Sequence, residues 1–224
     1  MKNTLFSCVI CSLIGVLNLI PAKGQSRPDG STPQFLYRYF ADGVVRTKDN
    51  RSQKIVLNYN TVSEKMVYFQ DGKVYDIVVA GTIDTVYIGN NRFVPSGKGF
   101  YEVLVGGSMP LLVQYKGKVI PAGAPAAYGG TSQVSSSHYA KTVEVSTGQY
   151  NLEMPPDYNI EVEVIYWIKK DDNMLSFMGE RQFLKLFADH ESDIKKFIKK
   201  NKIKFDNKID MIKLVKYCKD LILK

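Results

Sequence analysis

The segment from Thr82 to Tyr115 constrains the fold of this chain more than any other. Its β-branched and aromatic runs are separated by Gly-Asn-Asn, Ser-Gly-Lys-Gly and Gly-Gly-Ser. Such runs and breaks predict four strands joined by short turns. Two alternating apolar sets are expected to form the buried faces of the last two strands: Tyr101, Val103 and Val105, then Leu111, Val113 and Tyr115. The rest of the chain is expected to pack around this antiparallel meander.

The N-terminal end has the pattern of a secretory signal peptide. Lys2 supplies a positive charge, residues 5–20 form an apolar run, and Ala22-Lys23-Gly24 makes a small-x-small cleavage site. The alternative is a membrane anchor, but the run is shorter than the roughly 20 residues that span a bilayer. Cys8 and Cys11 lie inside the run, too early for a lipid-modified cleavage site. We therefore expect export to the periplasm, the outer surface or the medium, without a transmembrane span after cleavage.

Composition and periodicity divide the chain into consecutive parts. The predicted parts are a signal peptide (1–24), a flexible leader (25–34), an antiparallel β domain (35–178) with a mobile Gly/Pro/Ser loop (117–140), and a basic helical segment (179–224). Within the β domain, Phe35–Phe40 is predicted as the first strand and Asp42-Gly43 as a turn. The fold class is α+β, mainly antiparallel sheet, with a small C-terminal subdomain of two to three helices.

From Gly179 onward the apolar spacing changes from two to about 3.6 residues. The predicted apolar helix faces comprise Phe183, Leu184 and Phe187, then Ile194, Phe197 and Ile198, then Ile212, Val215, Cys218, Leu221 and Ile222. Asp189 or Ser192 is expected to cap the second helix, and Asp206 or Asn207 the third. Cys218 remains alone after leader removal, so it is expected to be a small buried side chain rather than half of a disulfide.

Charge is distributed unevenly along the chain. Residues 179–224 carry 13 basic and 7 acidic side chains, whereas residues 25–178 are balanced. Most of the excess comes from Lys195, Lys196, Lys199, Lys200, Lys202, Lys204 and Lys208. These lysines form either a solvated helix face or a contact with anionic lipid, glycan or an envelope protein. Nucleic acid is not expected, because the cluster has almost no arginine and the protein is exported.

The predicted loop 117–140 supplies a second candidate contact surface. It is rich in Gly, Pro, Ala and Ser, which bury too little apolar area to order a long segment. One interpretation is a slack linker. The other is a binding loop that uses Tyr128, His138 and Tyr139, because long loops in compact domains are often functional.

No catalytic or metal-binding motif stands out in the sequence. The G-x-S-x-G and H-E-x-x-H patterns are absent, and the mature chain has no C-x-x-C. Asp189, His190, Glu191 and Asp193 resemble a ligand cluster, but consecutive residues on a helix point in different directions. Glu161 and Glu163 are expected to form a solvent-facing row on a strand. The sequence therefore predicts no cofactor and no metal site.

Four stretches carry a resemblance to a known group of proteins. They are L-N-Y-N at 57–60, Glu64-Lys65-Met66, D-T-V-Y-I-G at 84–89 and F-V-P-S-G-K-G-F-Y-E-V-L at 93–104. Together they resemble a family of uncharacterised exported β-rich proteins from Gram-negative bacteria of the Bacteroidota type. The resemblance implies an exported β-rich architecture and transfers no catalytic residue.

The sequence thus favours an exported, non-enzymatic binding or structural module of the cell envelope. It would contact anionic material through its Lys-rich C-terminal helices. The alternative is a hydrolase whose site the sequence does not reveal.

Overall fold

The computed structural model describes residues 32–77, 81–121, 124–125, 131–132, 141–142, 152–153, 158–170 and 173–222. The strands of its main sheet are β1 (Ala41–Thr47), β2 (Ser52–Asn60), β3 (Lys65–Gln70), β4 (Lys73–Asp76), β5 (Ile83–Ile88), β6 (Asn91–Ser96), β7 (Gly99–Val105), β8 (Leu111–Pro121), β13 (Tyr158–Lys170) and β14 (Asn173–Phe177). Two short pairs lie between β8 and β13: β9 (Ala124–Pro125) with β10 (Thr131–Ser132), and β11 (Lys141–Thr142) with β12 (Leu152–Glu153). The helices are α1 (Glu180–Leu186), α2 (Glu191–Asn201) and α3 (Lys208–Ile222), with a 3-10 turn at Ala188–His190.

The ten main strands form one antiparallel sheet in the order β14-β13-β8-β7-β6-β5-β1-β2-β3-β4. The helices follow the last strand, and α3 lies against β7 while α1 lies against β14. Sheet and helices share one hydrophobic core. The predicted α+β class and the meander are therefore confirmed.

Glycine and aspartate determine where the hairpins turn. Asp71 and Gly72 have φ of 51° and 79° between β3 and β4, and Gly89 and Gly97 have φ of 56° and 59° between the strands of the meander. Left-handed backbone of this kind gives two-residue turns that match the twist of the flanking strands. The turns that the sequence predicted at these positions are confirmed.

The predicted start of the sheet is wrong. Phe35 forms an isolated bridge to Asn60 and is not part of a strand, and the first strand instead runs through Asp42 and Gly43, which were predicted to turn. A Cβ built on Gly43 would lie 2.5 Å from Leu57 Cδ1 and would also collide with the backbone oxygen of Tyr87. This glycine therefore permits close packing inside the sheet rather than a change of direction.

The predicted core face of β7 is also wrong. Tyr101 and Val103 are only half-buried, whereas their neighbours Phe100 and Glu102 are buried. The register shifts between Val103 and Val105, which is the signature of a bulge. On β8 the prediction is confirmed, because Leu111, Val113 and Tyr115 are all buried. A carboxylate thus occupies a position in the core that the sequence pattern assigned to the outer face.

Strands β8 and β13 form a long ribbon that changes the predicted loop boundary. Their pairing extends from Leu111↔Ile168 to Pro121↔Tyr158, so residues 117–121 are strand rather than loop. Gly117 N donates to Thr61 O, and a Cβ there would meet Thr61 Oγ1 at 2.5 Å. The end of the predicted leader is fixed as well, because Gln34 is buried and accepts from the Tyr158 hydroxyl at 2.8 Å.

The helical apolar faces are largely as predicted. Buried helical side chains are Phe183, Leu184, Ile194, Ile198, Met211, Leu214, Val215 and Cys218, and Phe187 is buried at the end of α1. Ile222, predicted to be buried, is 41% exposed at the end of α3. Asn207 caps α3 as predicted, since its Oδ1 accepts from the backbone of Ile209 and Asp210. The predicted cap of α2 is wrong, because the N-cap is His190 and no side chain in the described part of the chain caps this helix.

Candidate functional site

Four lysines of α2 form one continuous basic surface, here called the lysine face: Lys195, Lys196, Lys199 and Lys200. A helix advances about 100° per residue, so these four positions fall within an arc of about 140°. All four side chains are exposed. The opposite side of α2 is held by burial of Ile194 and Ile198, and the Phe197 ring stacks on Tyr217 at 3.9 Å. The core therefore fixes the direction in which the lysine face points.

Ion pairs divide the lysine face into two halves. Lys195 Nζ lies 2.5 Å from Glu191, which raises the pKa of Lys195, and Lys196 Nζ lies 3.2 Å from Asp193. Both acids belong to the first turn of the same helix. Lys199 and Lys200, one turn later, have no ion pair within the part of the chain that the structure describes. The uncompensated positive charge is therefore concentrated at the C-terminal half of α2.

Two further predicted contacts lie in the turn after α2. Lys202 is exposed, and it ends the helix with a left-handed backbone conformation at φ of 52°. Lys204 is exposed, and its backbone N–H donates to Asp210 Oδ2 at 3.0 Å. The structure thus places all six predicted lysines on α2 and the turn that follows it. Tyr128, His138 and Tyr139 lie outside the described residues.

A buried polar cluster that the sequence analysis missed is centred on Glu102. Cross-strand pairing aligns one row of side chains on the core face of six neighbouring strands, from β14 to β5: Phe177, Tyr166, Val113, Glu102, Phe93 and Val86. All six are buried, and Glu102 is only 3% exposed. It is the one charged side chain that is buried among the described residues. The sequence contains one signal for this burial, because Glu102 alternates with the apolar residues Phe100 and Leu104 on the same face of β7.

Glu102 is satisfied by two partners from different elements. The Tyr115 hydroxyl donates to Glu102 Oε2, and Lys208 Nζ reaches the same oxygen at 2.8 Å. The Lys208 ammonium also lies 4.9 Å from the centre of the Tyr115 ring, a cation–π distance. Burial and the charge of Glu102 raise the pKa of Tyr115, which keeps this hydroxyl a hydrogen-bond donor. The cluster joins the first turn of α3 to the middle of the sheet.

The charge of Glu102 also affects two other tyrosines, Tyr37 and Tyr166. Burial and Glu102 raise the pKa of Tyr37, whose hydroxyl accepts from Asn91 Nδ2 at 2.9 Å. Burial raises the pKa of Tyr166 to about 12, with smaller effects from Asp206 and Glu102. The Tyr166 hydroxyl is buried and has no hydrogen-bond partner among the described residues. The cluster around Glu102 therefore stabilises the fold, because the Glu102 carboxylate is already bound by Tyr115 and Lys208.

The opposite face of the sheet carries a second polar and aromatic cluster. The Tyr101 and Trp167 rings stack with centres 5.8 Å apart, and the Trp167 indole donates to Gln114 Oε1 at 3.0 Å. Gln114 in turn donates to Glu64 Oε2 at 2.5 Å. Burial raises the pKa of Tyr101, and the charge of Glu64 adds to this effect. The cluster explains why the Tyr101 side of β7 is covered although it does not face the helices.

The remaining candidate groups do not form a reactive centre in the described ranges. Cys218 is fully buried, and burial raises the pKa of its thiol to about 12, as expected for a packed rather than a nucleophilic cysteine. Glu161 and Glu163 are exposed on β13, opposite Lys118 and Lys116 on β8. Among the described residues, no three His, Cys, Asp or Glu side chains are grouped to hold a metal ion.

Comparison with known proteins adds no relative to these observations. No protein-family model, curated protein or solved structure matches the chain. In the part of the chain that the structure describes, no helix combines the length and the apolar character needed to cross a membrane.

Proposed function

We propose that this protein is an exported binding module of the cell envelope that contacts anionic material through the lysine face of α2. The observation that carries the proposal is the fixed orientation of four exposed lysines within one arc. A basic surface that the core holds in place attracts polyanions without first paying the entropy of ordering a flexible segment. The cell-envelope location rests on the leader pattern at residues 1–24.

The distribution of charge supports this assignment over a general solubility role. The sheet segment 25–178 is balanced, and the excess lies in residues 179–224. If lysines served only solubility, they would be spread over the surface rather than concentrated on one helix and the following turn. Lys199 and Lys200 are the positions where an external anion meets the least competition from acids of the chain.

The hydrolase alternative gains less support from the described residues. It requires a carboxylate or histidine that is available to substrate in a pocket. The one carboxylate buried in the described core, Glu102, is engaged by Tyr115 and Lys208. An open cleft of about 510 Å³ is lined by Asp42, Lys54 and Tyr87 among others, on strands β1, β2 and β5. Within the described ranges, its lining contains one carboxylate, Asp42, and neither a second carboxylate nor a histidine to act with it.

The experiment compares binding of two charge variants to anionic surfaces. Lys199→Gln/Lys200→Gln is expected to lose about 30-fold in affinity for anionic vesicles, since each lysine near such a surface contributes about 1 kcal/mol. Lys48→Gln/Lys54→Gln is the matched control, because both lysines are exposed on the sheet segment and the net charge changes equally. Cosedimentation is measured across a series of NaCl concentrations. Equal losses in both variants, or none in either, would contradict the proposal.

A further inference from the structure

The most exposed large apolar side chain of the described residues lies at the start of α3. Ile209, the second residue of the helix, is 74% exposed. A single exposed isoleucine is ordinary on a protein surface, so its surroundings decide whether it has a role. In this helix the exposed side continues through Lys213 and Lys216, at spacings of four and seven residues.

The turn before α3 brings further lysines to the same corner of the molecule. The hydrogen bond from Lys204 N to Asp210 Oδ2 fixes this turn against the first turn of the helix. Lys202 and Lys204 are both exposed there. Asp210 is half-buried and engaged by this bond, which leaves Asp206 as the exposed acid of the turn. Ile209 with Lys202, Lys204, Lys213 and Lys216 is here called the Ile209 surface.

We propose that the Ile209 surface docks on an anionic lipid bilayer, with Ile209 entering the headgroup region and the lysines contacting lipid phosphates. This inference rests on the proposed function and specifies its partner. A soluble polyanion or a charged glycan attracts lysines electrostatically, but it contains no hydrocarbon region in which an exposed isoleucine could be buried. A bilayer offers both a negative surface potential and an apolar interior just beneath it. The combination of an exposed apolar side chain with flanking cations therefore favours lipid over glycan.

The experiment measures vesicle binding and insertion with the full chain. Vesicles consist of phosphatidylcholine alone or mixed with phosphatidylglycerol. Ile209→Ser is expected to lower affinity for the mixed vesicles about tenfold, because it removes the buried hydrocarbon but no charge. The tryptophan fluorescence of the Ile209→Trp variant is expected to be quenched by brominated lipid in those vesicles. Trp167, the one native tryptophan, lies half-buried in the sheet and gives the background signal in the parent protein.

The matched control is Ile222→Ser. Ile222 is also exposed on α3 but lies about 140° around the helix from Ile209. The Ile222→Ser variant is expected to keep its affinity for the mixed vesicles within about twofold of the parent protein. This result would support the assignment of lipid contact to the Ile209 side of α3. Far-ultraviolet circular dichroism of each variant checks that the fold is retained.

Different outcomes separate this inference from the proposed function. Lipid insertion is overturned if binding is salt-dependent but is not weakened by Ile209→Ser, or if brominated lipid does not quench the emission of Ile209→Trp. Either result is still compatible with binding through the lysine face. Retention on immobilised heparin without vesicle binding overturns the lipid and identifies a soluble polyanion as the partner class. Binding to neither material overturns both proposals.

Discussion

Lys208 Nζ lies 2.8 Å from Glu102 Oε2, so that the first residue of α3 is tied to the middle of β7 across 106 positions of the sequence. Glu102 is almost fully buried, whereas the Lys208 side chain is 42% exposed. The carboxylate therefore depends on this lysine and on Tyr115 for compensation of its charge, while the lysine retains partial access to water. Such an asymmetric pair orients the helix on the sheet, because the carboxylate is satisfied only in one docking geometry.

Removing the lysine is expected to destabilise the protein. Lys208→Met leaves Glu102 buried with Tyr115 as its remaining donor, and we expect the free energy of unfolding to fall by about 2 kcal/mol. This is less than for a fully buried pair because water screens the exposed lysine. Urea denaturation followed by circular dichroism measures the change.

Two further variants test the cause of that loss. Lys213→Met, an exposed position on the same helix, is expected to change stability by less than about 0.5 kcal/mol. Glu102→Gln/Lys208→Met is expected to be more stable than the sum of the single changes predicts, because the unpaired charge is gone. Additive losses would show that Lys208 contributes packing rather than charge compensation.

Gly43 is expected to be intolerant of even a methyl group. Gly43→Ala places Cβ against Leu57 and the Tyr87 backbone, so we expect a loss of about 2 kcal/mol from overpacking between strands. Gly81→Ala is the control, since no atom of the described residues lies within 4 Å of its Cβ and its φ is not left-handed. Thermal denaturation of both variants distinguishes close packing from a general effect of replacing glycine. Similar melting temperatures for the two would contradict the packing role.

The sequence predicts the meander well because its turns depend on local chemistry. Gly89 and Gly97 adopt left-handed backbone that other residues rarely accept, and each lies between two apolar runs. The same rule fails at Gly43, where the requirement is space beside Leu57 rather than backbone conformation. A single sequence contains no signal that distinguishes these two uses of glycine, because the second depends on which strands become neighbours.

The buried face of β7 was mispredicted for a related reason. Alternation identifies two faces, and the charge of Glu102 made the face of Tyr101 and Val103 the better candidate for the core. The compensating Lys208 lies on α3, far away in sequence, so its contribution is visible only after the helices dock. The lysine face, by contrast, follows directly from helical spacing and was predictable. The pairing of Glu191 with Lys195 and of Asp193 with Lys196 also has a signal in the sequence, because residues three and four apart are neighbours on a helix.

Capping of α3 provides a local test of how helix starts are specified. Asn207 Oδ1 accepts from Ile209 N at 2.9 Å and from Asp210 N at 3.2 Å. Asn207→Ala is expected to lower the free energy of unfolding by about 1 kcal/mol. Ser192→Ala, at a predicted cap position that the structure does not use, is expected to change it by less than about 0.5 kcal/mol. The reverse order in urea denaturation would show that Ser192 caps α2 in solution.

Stability is expected to decrease at alkaline pH. Burial raises the pKa of the Cys218 thiol from 9.0 to about 12 and that of the Tyr166 hydroxyl from 10.0 to about 12. The folded protein keeps these protons where the unfolded chain releases them, so both groups contribute full stability below about pH 9. That contribution is lost as pH rises from 9 toward 12. Urea denaturation at a series of pH values measures the decline.

Tyr166→Phe tests the tyrosine contribution to this decline separately. The hydroxyl is buried without a hydrogen-bond partner among the described residues, so its removal is expected to stabilise the protein by about 1 kcal/mol at pH 7. The same change is expected to reduce the loss of stability above pH 10, because one buried group no longer titrates on unfolding. Tyr39→Phe, at a side chain that is 53% exposed, is the control and is expected to leave the alkaline slope unchanged. A destabilised Tyr166→Phe variant would mean that the hydroxyl has a bound partner in solution, such as an ordered water molecule near Glu102.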